Sequence, residues 1–445
     1  MRRKMTDTML LWKREEKKRP LIITGTRQTG KTWLLQDFGK RYYRHQAYFH
    51  LETDMALQTY FSREKEPSRL LEFLEAHSHT PILPGNTLII LDELQACPAA
   101  REALGGFAAE FPEYSIVGAQ RTPGPFALPP LAPADAQVEE LNVMSFEEFL
   151  WACREVSLAK EIREHFQNGE PLEKKLHQQA LHLFRIYLIT GGFPAAVKTY
   201  REEHSLLRIP DIHSKIRQMD LEDIAAGISR ENRNAARSSY STLPRQLQKE
   251  NPCFQYRVAS KGSTRSTMSE GIRWITQNGL VLEVKEWTSG ENVSRSCQNL
   301  KYESAEHLLP KEQVQEPSSH RFRLYARDAG LCATGMGIAP SSLLQLERSR
   351  SIHRAVENCL AVTFSINGYK MSYWGSGNKA LLPFILDKNG EQIAVDVHFE
   401  ENKKSRSLFE YQKHYNPDRA YRISELGFKQ HEHYYQIPYY AAFCI

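Results

Sequence analysis

The chain has 445 residues, of which 41% are hydrophobic and 25% charged, with a formal net charge of +5. That length is too great for one ordinary core, so two or three domains are expected, and the composition excludes a fibrous or largely disordered chain. No apolar run approaches the roughly 18 residues that span a bilayer, and the apolar stretch in MRRKMTDTMLLWKREEKK is too short for a signal peptide, so a cytoplasmic protein without a membrane anchor is expected.

The first clear element is PLIIT, a short β-branched run suited to a strand buried on both faces. It leads into GTRQTGKT, a full match to G-x-x-x-x-G-K-[ST] made of Gly25, Thr26, Arg27, Gln28, Thr29, Gly30, Lys31 and Thr32. Trp33, Leu34, Leu35 and Phe38 follow at helical spacing, and Trp33 joins the loop in the expected nucleotide-contacting set. Gly25 and Gly30 let the backbone curl so that successive N–H groups face phosphate oxygens. The helix beginning near Lys31 adds the positive end of its dipole. Lys31 is expected to reach the β- and γ-phosphates of ATP, and the Thr32 hydroxyl to ligate Mg2+.

QAYFHLE (Gln46–Glu52) reads as a second strand, followed by a helix around Pro67–Ala76. In NTLIILDELQ, Leu88 to Leu91 form a buried strand that ends in Asp92 and Glu93. Open α/β sheets bind ligands at this end of their strands. Asp92 would enter the magnesium shell and Glu93 would orient or deprotonate the attacking water, as catalytic partner to Lys31. The plainer reading is a strand followed by an acidic turn. A helix over Pro98–Glu110 and a strand over Glu113–Gln120 continue the alternation, which implies an α/β fold with a doubly wound parallel sheet. Gln120 either senses the nucleotide or is merely a strand end.

Arg121–Gln137 is Pro/Ala-rich and reads as a long loop. Ser145, with Glu148 three residues on, then caps a helix. LHLFRIYLITGGFPAAVKTY is an apolar helix broken at Gly191, Gly192 and Pro194, either a hinge or a plain helix stop. Arg185 on that helix could reach the phosphates.

Between Arg230 and Ile275 nine Lys/Arg face three acids, an excess that marks either an anionic partner or a solvated surface. A helix starting after Thr242 with Pro244 in its first turn, a helix over Ser269–Gln277, a turn at Asn278-Gly279 and a strand over Leu280–Trp287 match a winged helix. Arg257, Lys261, Arg265 and Arg273 would be its DNA contacts. Winged helices also dock proteins, so both partners stay open.

Seven cysteines (Cys97, Cys153, Cys253, Cys297, Cys332, Cys359, Cys444) are widely spaced without a C-x-x-C pair, and no H-E-x-x-H is present. Reduced thiols are expected, and no metal beyond a nucleotide-bound magnesium.

The pieces GTRQTGKTW, LIILDELQACP, VEELNVMSFEEFL, YLITGGFPAAV, LPRQLQKEN, LYARDAGL, ENCLAV, YWGSGN and YRIS…IPYYAAF resemble the prokaryotic AAA-like P-loop ATPases that carry a C-terminal domain of uncharacterised function. The resemblance runs over nearly the whole chain. It implies an ATPase core over 1–140, a helical lid over 141–205, a winged-helix-like connector over 206–290 and a restriction-endonuclease-like domain over 291–445. It leaves open a homo-oligomer, since AAA-type ATPases often form rings.

Nucleases of that last fold hold magnesium with a helix glutamate, a strand aspartate and an acid-x-lysine pair. Here the resemblance places Glu357, Pro383, Asp396 and His398 at those positions. One carboxylate and an imidazole hold magnesium poorly, and Asp387, expected in a hairpin turn, is four positions late, so no cleavage is expected. A proline inside that strand also places it at a sheet edge. Glu400–Ser424, with Lys403, Lys404 and Arg406, is either a solvated loop and helix or a phosphate-facing surface. The reading that results is an ATP-driven switch acting on a nucleic-acid or protein partner. Its alternative is a DNA-binding or protein-docking module in which the nucleotide is structural.

Overall fold

The computed structural model describes residues 1–122, 131–287, 321–376, 380–399 and 405–445. Cys297, Lys403, Lys404 and part of the Arg121–Gln137 loop lie outside the described residues.

Five strands, β1 (Leu21–Gly25), β2 (His45–His50), β3 (Thr87–Asp92), β4 (Ser115–Arg121) and β5 (Gln137–Glu140), form an all-parallel sheet in the order β2-β3-β4-β1-β5. Successive residues of a strand face opposite ways, so strands that are apolar throughout need cover on both sides. Leu21 and Ile23 turn to one face, against Leu34, Leu35 and Phe38 of the helix Lys31–Tyr42. Ile22 turns to the other, with Phe49, Ile89 and Ile116. Each such buried Leu or Ile contributes roughly 1.5–3 kcal/mol relative to exposure. The doubly wound parallel sheet expected from the strand–helix alternation is present. The helix expected over Pro98–Glu110 is two short ones, Pro98–Glu102 and Leu104–Glu110.

The helix Phe146–Ala152 begins with a reciprocal cap: the Ser145 hydroxyl accepts from the Glu148 amide at 3.3 Å, and the Glu148 carboxylate accepts from the Ser145 amide at 2.9 Å. Arg3 lies 3.0 Å from the same carboxylate and donates to the Thr29 carbonyl at 2.9 Å, tying the cap to the phosphate loop.

The apolar helix Lys174–Thr190 stops at Gly191, which has φ +63°. A Cβ on Gly191 would lie 2.1 Å from Asp328 Oδ1, and one on Gly192 2.1 Å from the Met144 carbonyl oxygen. The Gly192 amide donates to Asp328 at 2.6 Å. Both glycines are buried backbone contacts between distant segments, which a side chain would push apart. Arg185 is corrected: it donates to the Leu344 carbonyl and lies 3.8 Å from Glu425, on the C-terminal part and not at the phosphate loop.

Helices Ile209–Gly227, Arg230–Leu247, Tyr256–Ala259 and Arg265–Gln277 follow. The helix expected to start after Thr242 in fact starts at Arg230 and carries Pro244 in its interior. A proline there removes one helical bond and costs about 3 kcal/mol, and burial of Tyr240, Leu243 and Leu247 on the same helix offsets it. The next helix begins at Arg265, four residues before the expected Ser269, because Thr264 caps it.

The second sheet has eight strands: β6 (Val281–Glu286), β7 (Phe322–Ala326), β8 (Lys370–Ser376), β9 (Ala380–Lys388), β10 (Glu391–Val397), β11 (Arg419–Ser424), β12 (Lys429–Gln430) and β13 (Tyr435–Pro438). Their order is β12-β13-β11-β10-β9-β8-β6-β7. β6 pairs antiparallel with β7 and also parallel with β8, so the strand after the basic helix is part of this larger sheet.

β9 lies inside the sheet between β8 and β10, not at an edge. Pro383 is accommodated by a bulge. Ser372 pairs with Ile385 and Trp374 with Leu382, so Pro383 and Phe384 face the single residue Tyr373. On the other side the ladder to β10 ends at Phe384. The missing N–H therefore falls where neither neighbour has a ladder bond to make. Asp387 is likewise corrected: it lies within β9, paired with Gln392 one residue before the strand ends at Lys388, and the turn is Asn389-Gly390, both with positive φ as a two-residue hairpin requires.

Candidate functional site

In a parallel sheet all strand ends of one kind share an edge. The C-terminal ends of β1, β3 and β4 therefore bring Gly25, Asp92 and Arg121 together although they are far apart in sequence. Gly25 pairs in register with Arg121, and Leu91 with Gly118.

The loop Gly25–Gly30 connects β1 to the helix Lys31–Tyr42. Gly30 has φ +91°, a left-handed conformation that glycine adopts without a Cβ clash. Thr26 and Thr29 are buried, Gln28 is exposed, and the Thr29 hydroxyl donates to the Thr26 carbonyl at 3.0 Å, bracing the curl. Lys31 is buried and its ammonium donates to the Gly25 and Thr26 carbonyls at 2.8 and 2.9 Å. Burial lowers its pKa from 10.5 to about 8, with Glu93 and Asp92 pulling up and Arg121 and Arg327 pushing down. Thr32 is half-buried in the first helical turn, and Trp33 is 44% exposed.

Asp92 accepts a hydrogen bond from the Tyr48 hydroxyl at 2.8 Å and one from the Glu93 amide at 3.0 Å. Glu93 has φ +56°, a conformation that costs a non-glycine residue on the order of 1 kcal/mol or more and that concentrates at functional sites. Its carboxylate accepts from the Gln95 amide nitrogen and lies 4.0 Å from Arg121 Nε. The Gln95 side-chain oxygen in turn accepts from the Arg121 amide at 2.9 Å, so one glutamine aligns the ends of β3 and β4. Gln120 accepts from Arg101 at 3.3 Å. Arg27 lies 2.9 Å from Asp223 on the helix Ile209–Gly227.

The structure thus brings together Gly25 to Thr32, Asp92, Glu93 and the neighbouring Gln120. The residues that sequence reasoning missed here are Arg121, Asp223, Arg327, Tyr48 and Gln95. Arg121 stands next to Gln120 at the same strand end and could have been found there. Asp223 and Arg327 reach the site from remote segments and carry no local signal.

The other predicted residues lie elsewhere. Arg257, Lys261, Arg265 and Arg273 are exposed on and before the helix Arg265–Gln277, with Arg273 paired to Glu270. Glu357 is fully buried and engaged by Arg323 at 2.9 Å, Tyr325 and Arg354. Burial pushes its carboxyl up, and Arg354 and Arg323 more than reverse this, holding the pKa at about 2. Asp396 is 2.7 Å from His398 Nε2, and Pro383 supplies no ligand. Among the described residues no group of three or more His, Cys, Asp or Glu is arranged to hold a metal ion, and no helix is long and apolar enough to cross a membrane.

Comparisons with known proteins agree with this geometry in the first part of the chain. Residues 17–150 match the AAA domain family, and residues 181–302 match a domain of unknown function (DUF8612). No curated protein matches. Among solved structures, the Walker-type ATPase paby2304 of Pyrococcus abyssi is 14% identical, over 63% of this chain and 90% of that one, with a TM-score of 0.39. The Thermotoga maritima RuvB Holliday junction branch migration motor is 13% identical over 66% and 95%, with a TM-score of 0.30. C. elegans PCH-2 is 14% identical over 58% and 60%, with a TM-score of 0.22. The match to the AAA domain family therefore covers the parallel sheet and the loop after β1, in the first third of the chain.

Proposed function

We propose that this protein binds and hydrolyses ATP and uses its nucleotide state to reposition the basic middle helices and the C-terminal sheet against a nucleic-acid or protein partner. One observation carries the reading: β1 and β3 deliver a glycine-hinged loop with its lysine and two carboxylates to a single sheet edge. The donor set fits a nucleotide with magnesium. The loop amides and the Lys31 ammonium suit phosphate oxygens, and Thr32 and Asp92 offer the hard oxygen ligands that magnesium takes. When bound, magnesium neutralises charge on the transferred phosphate. Lys31 holds the β- and γ-phosphates, Glu93 takes the proton of the attacking water, and Gln95 keeps the Glu93 carboxylate oriented.

Lys31→Ala is expected to weaken Mg-ATP binding by about a hundredfold, roughly the loss of one charge-assisted contact in a buried site. Titration with a fluorescent ATP analogue measures it, and an unchanged Kd would remove the reading. The lowered pKa of Lys31 adds a pH signature. A bound polyphosphate raises that pKa, so above pH 8 binding must take up a proton. Affinity is expected to be flat from pH 7 to 8 and to fall by up to about tenfold per unit above it. A lysine of ordinary pKa would keep its affinity to pH 9.5, and that result would exclude this environment.

The second half of the proposal rests on exposure and topology. Arg257, Lys261, Arg265 and Arg273 are all exposed around one helix and its preceding loop, which favours an anionic partner such as DNA through a winged-helix-like connector. DNA affinity is then expected to fall steeply with salt, and a flat salt dependence points to protein docking with a structural nucleotide. The helix Arg350–Ile366, strands β8 to β10, the helix Arg406–Tyr415 and β11 follow the helix–strand–strand–strand–helix–strand order of a restriction-endonuclease-like core. With Glu357 neutralised and Pro383 at the aspartate position, that core is read as non-cleaving.

A further inference from the structure

The helix Ile209–Gly227 lies against the phosphate loop and carries two buried acids, of which Asp223 contacts the loop. Met219 Sδ is 3.7 Å from Gln28 Nε2. Asp223 Oδ1 is 2.9 Å from Arg27 Nη2 and 3.8 Å from Arg121 Nη1. Asp220 is held separately, by Arg327 at 2.6 Å and by the Tyr240 hydroxyl. Four cations, Lys31, Arg27, Arg121 and Arg327, therefore meet four largely buried carboxylates, Asp92, Glu93, Asp220 and Asp223, and the exposed Glu52 lies 3.9 Å from Arg121 Nη2 at the rim.

That balance has a consequence for any polyphosphate. A magnesium-bound triphosphate adds about two net negative charges, and in a low-dielectric site excess like charge is costly. Of the four acids, Asp92 and Glu93 are needed for the chemistry, and Asp220 has two strong partners of its own. Asp223 is the one whose partners are the loop arginine and the strand-end arginine. Both of these still have an unused donor: Nε of Arg27 and Nε of Arg121 are buried and have no hydrogen-bond partner among the described residues. Arg121 stands in register opposite Gly25 and 4.0 Å from Glu93, the residue to which the proposed function gives the attacking water.

We propose that Arg121 is the arginine, supplied within the chain, that contacts the terminal phosphate, and that the Asp223 carboxylate competes with that phosphate for Arg121 and Arg27. Triphosphate binding then detaches the helix Ile209–Gly227 from the loop, whereas a diphosphate, which does not reach Arg121, leaves it in place. This rests on the nucleotide reading above and adds to it the residue through which the two halves of the molecule are coupled.

The test measures Kd for a non-hydrolysable Mg-ATP analogue and for Mg-ADP in wild type, Lys31→Ala, Arg121→Ala, Asp223→Asn and Asp223→Glu, each checked for folding by thermal melting. Arg121→Ala is expected to weaken the ATP analogue by about tenfold or more with ADP unchanged, a loss of the size of one interdomain coupling. Asp223→Asn is expected to tighten the ATP analogue by about tenfold, and Asp223→Glu, which keeps the charge, to stay near wild type. Amide exchange in residues 209–227 should rise with the ATP analogue and not with ADP. If Lys31→Ala loses both nucleotides while Arg121→Ala weakens both equally, or Asp223→Asn changes neither, the phosphate loop stands and this proposal falls. If Lys31→Ala binds as wild type does, the nucleotide reading itself is gone and takes this one with it.

Discussion

Glu93→Gln is expected to bind Mg-ATP about as tightly as wild type and to hydrolyse it about a hundredfold more slowly or worse. The substitution is nearly isosteric, so the left-handed turn at the end of β3 and the contact with Gln95 survive. What disappears is the ability to accept a proton from water. Asp92, one residue earlier, cannot take over: its two oxygens accept from Tyr48 and from the Glu93 amide, which direct it away from that task. Phosphate release under single-turnover conditions, set beside the binding isotherm, separates the two effects. A variant with undiminished turnover would show that the base is another group, and the strained φ at Glu93 would lose its functional explanation. The same protein held in ATP is also the bait for a pull-down that tests whether the proposed partner exists, since it should dwell in the triphosphate-bound form.

Glu357→Ala is expected to destabilise the C-terminal part by about 3–5 kcal/mol, the usual cost of stranding buried charges by removing one partner. Arg323 and Arg354 both pair with this carboxylate and Tyr325 donates to it, and all are largely or fully buried. Thermal or urea denaturation measures the effect, and an unchanged midpoint would overturn the structural role. The pH dependence has a definite sign. The folded pKa of about 2 lies below the ordinary 4.5, so the contribution is complete above pH 4.5 and is lost as pH falls from there towards 2. A glutamate whose purpose was to hold magnesium would be expected to lie open to an ion, with no guanidinium on either oxygen.

Several features were legible because they are local. The phosphate loop spans eight consecutive residues whose glycines and lysine act within one turn of backbone, and the Ser145–Glu148 cap closes over three residues. The apolar run before Asp92 shows a buried strand because burial on both faces leaves no polar alternation. The doubly wound sheet follows from the alternation of such strands with helices.

What the tertiary structure alone decided involves partners distant in sequence or groups that are missing. Pro383 argued for an edge strand only on the assumption of a regular ladder. A bulge opposite Tyr373 removes the need for its N–H, and a strand proline is compatible with either an edge or a bulge, so only the ladder decides between them. Pro244 sits inside a helix because packing of its neighbours outweighs local propensity. Arg185 reads as a phosphate ligand until the fold carries it to Leu344 and Glu425. Asp223 and Arg121 are separated by about a hundred residues, and nothing near either one announces the other. Their pairing exists because a parallel sheet collects strand ends at one edge and the helix Ile209–Gly227 packs across it. Local pattern specifies which chemistry a segment can perform; only the packing of remote segments decides which charges must share one desolvated space.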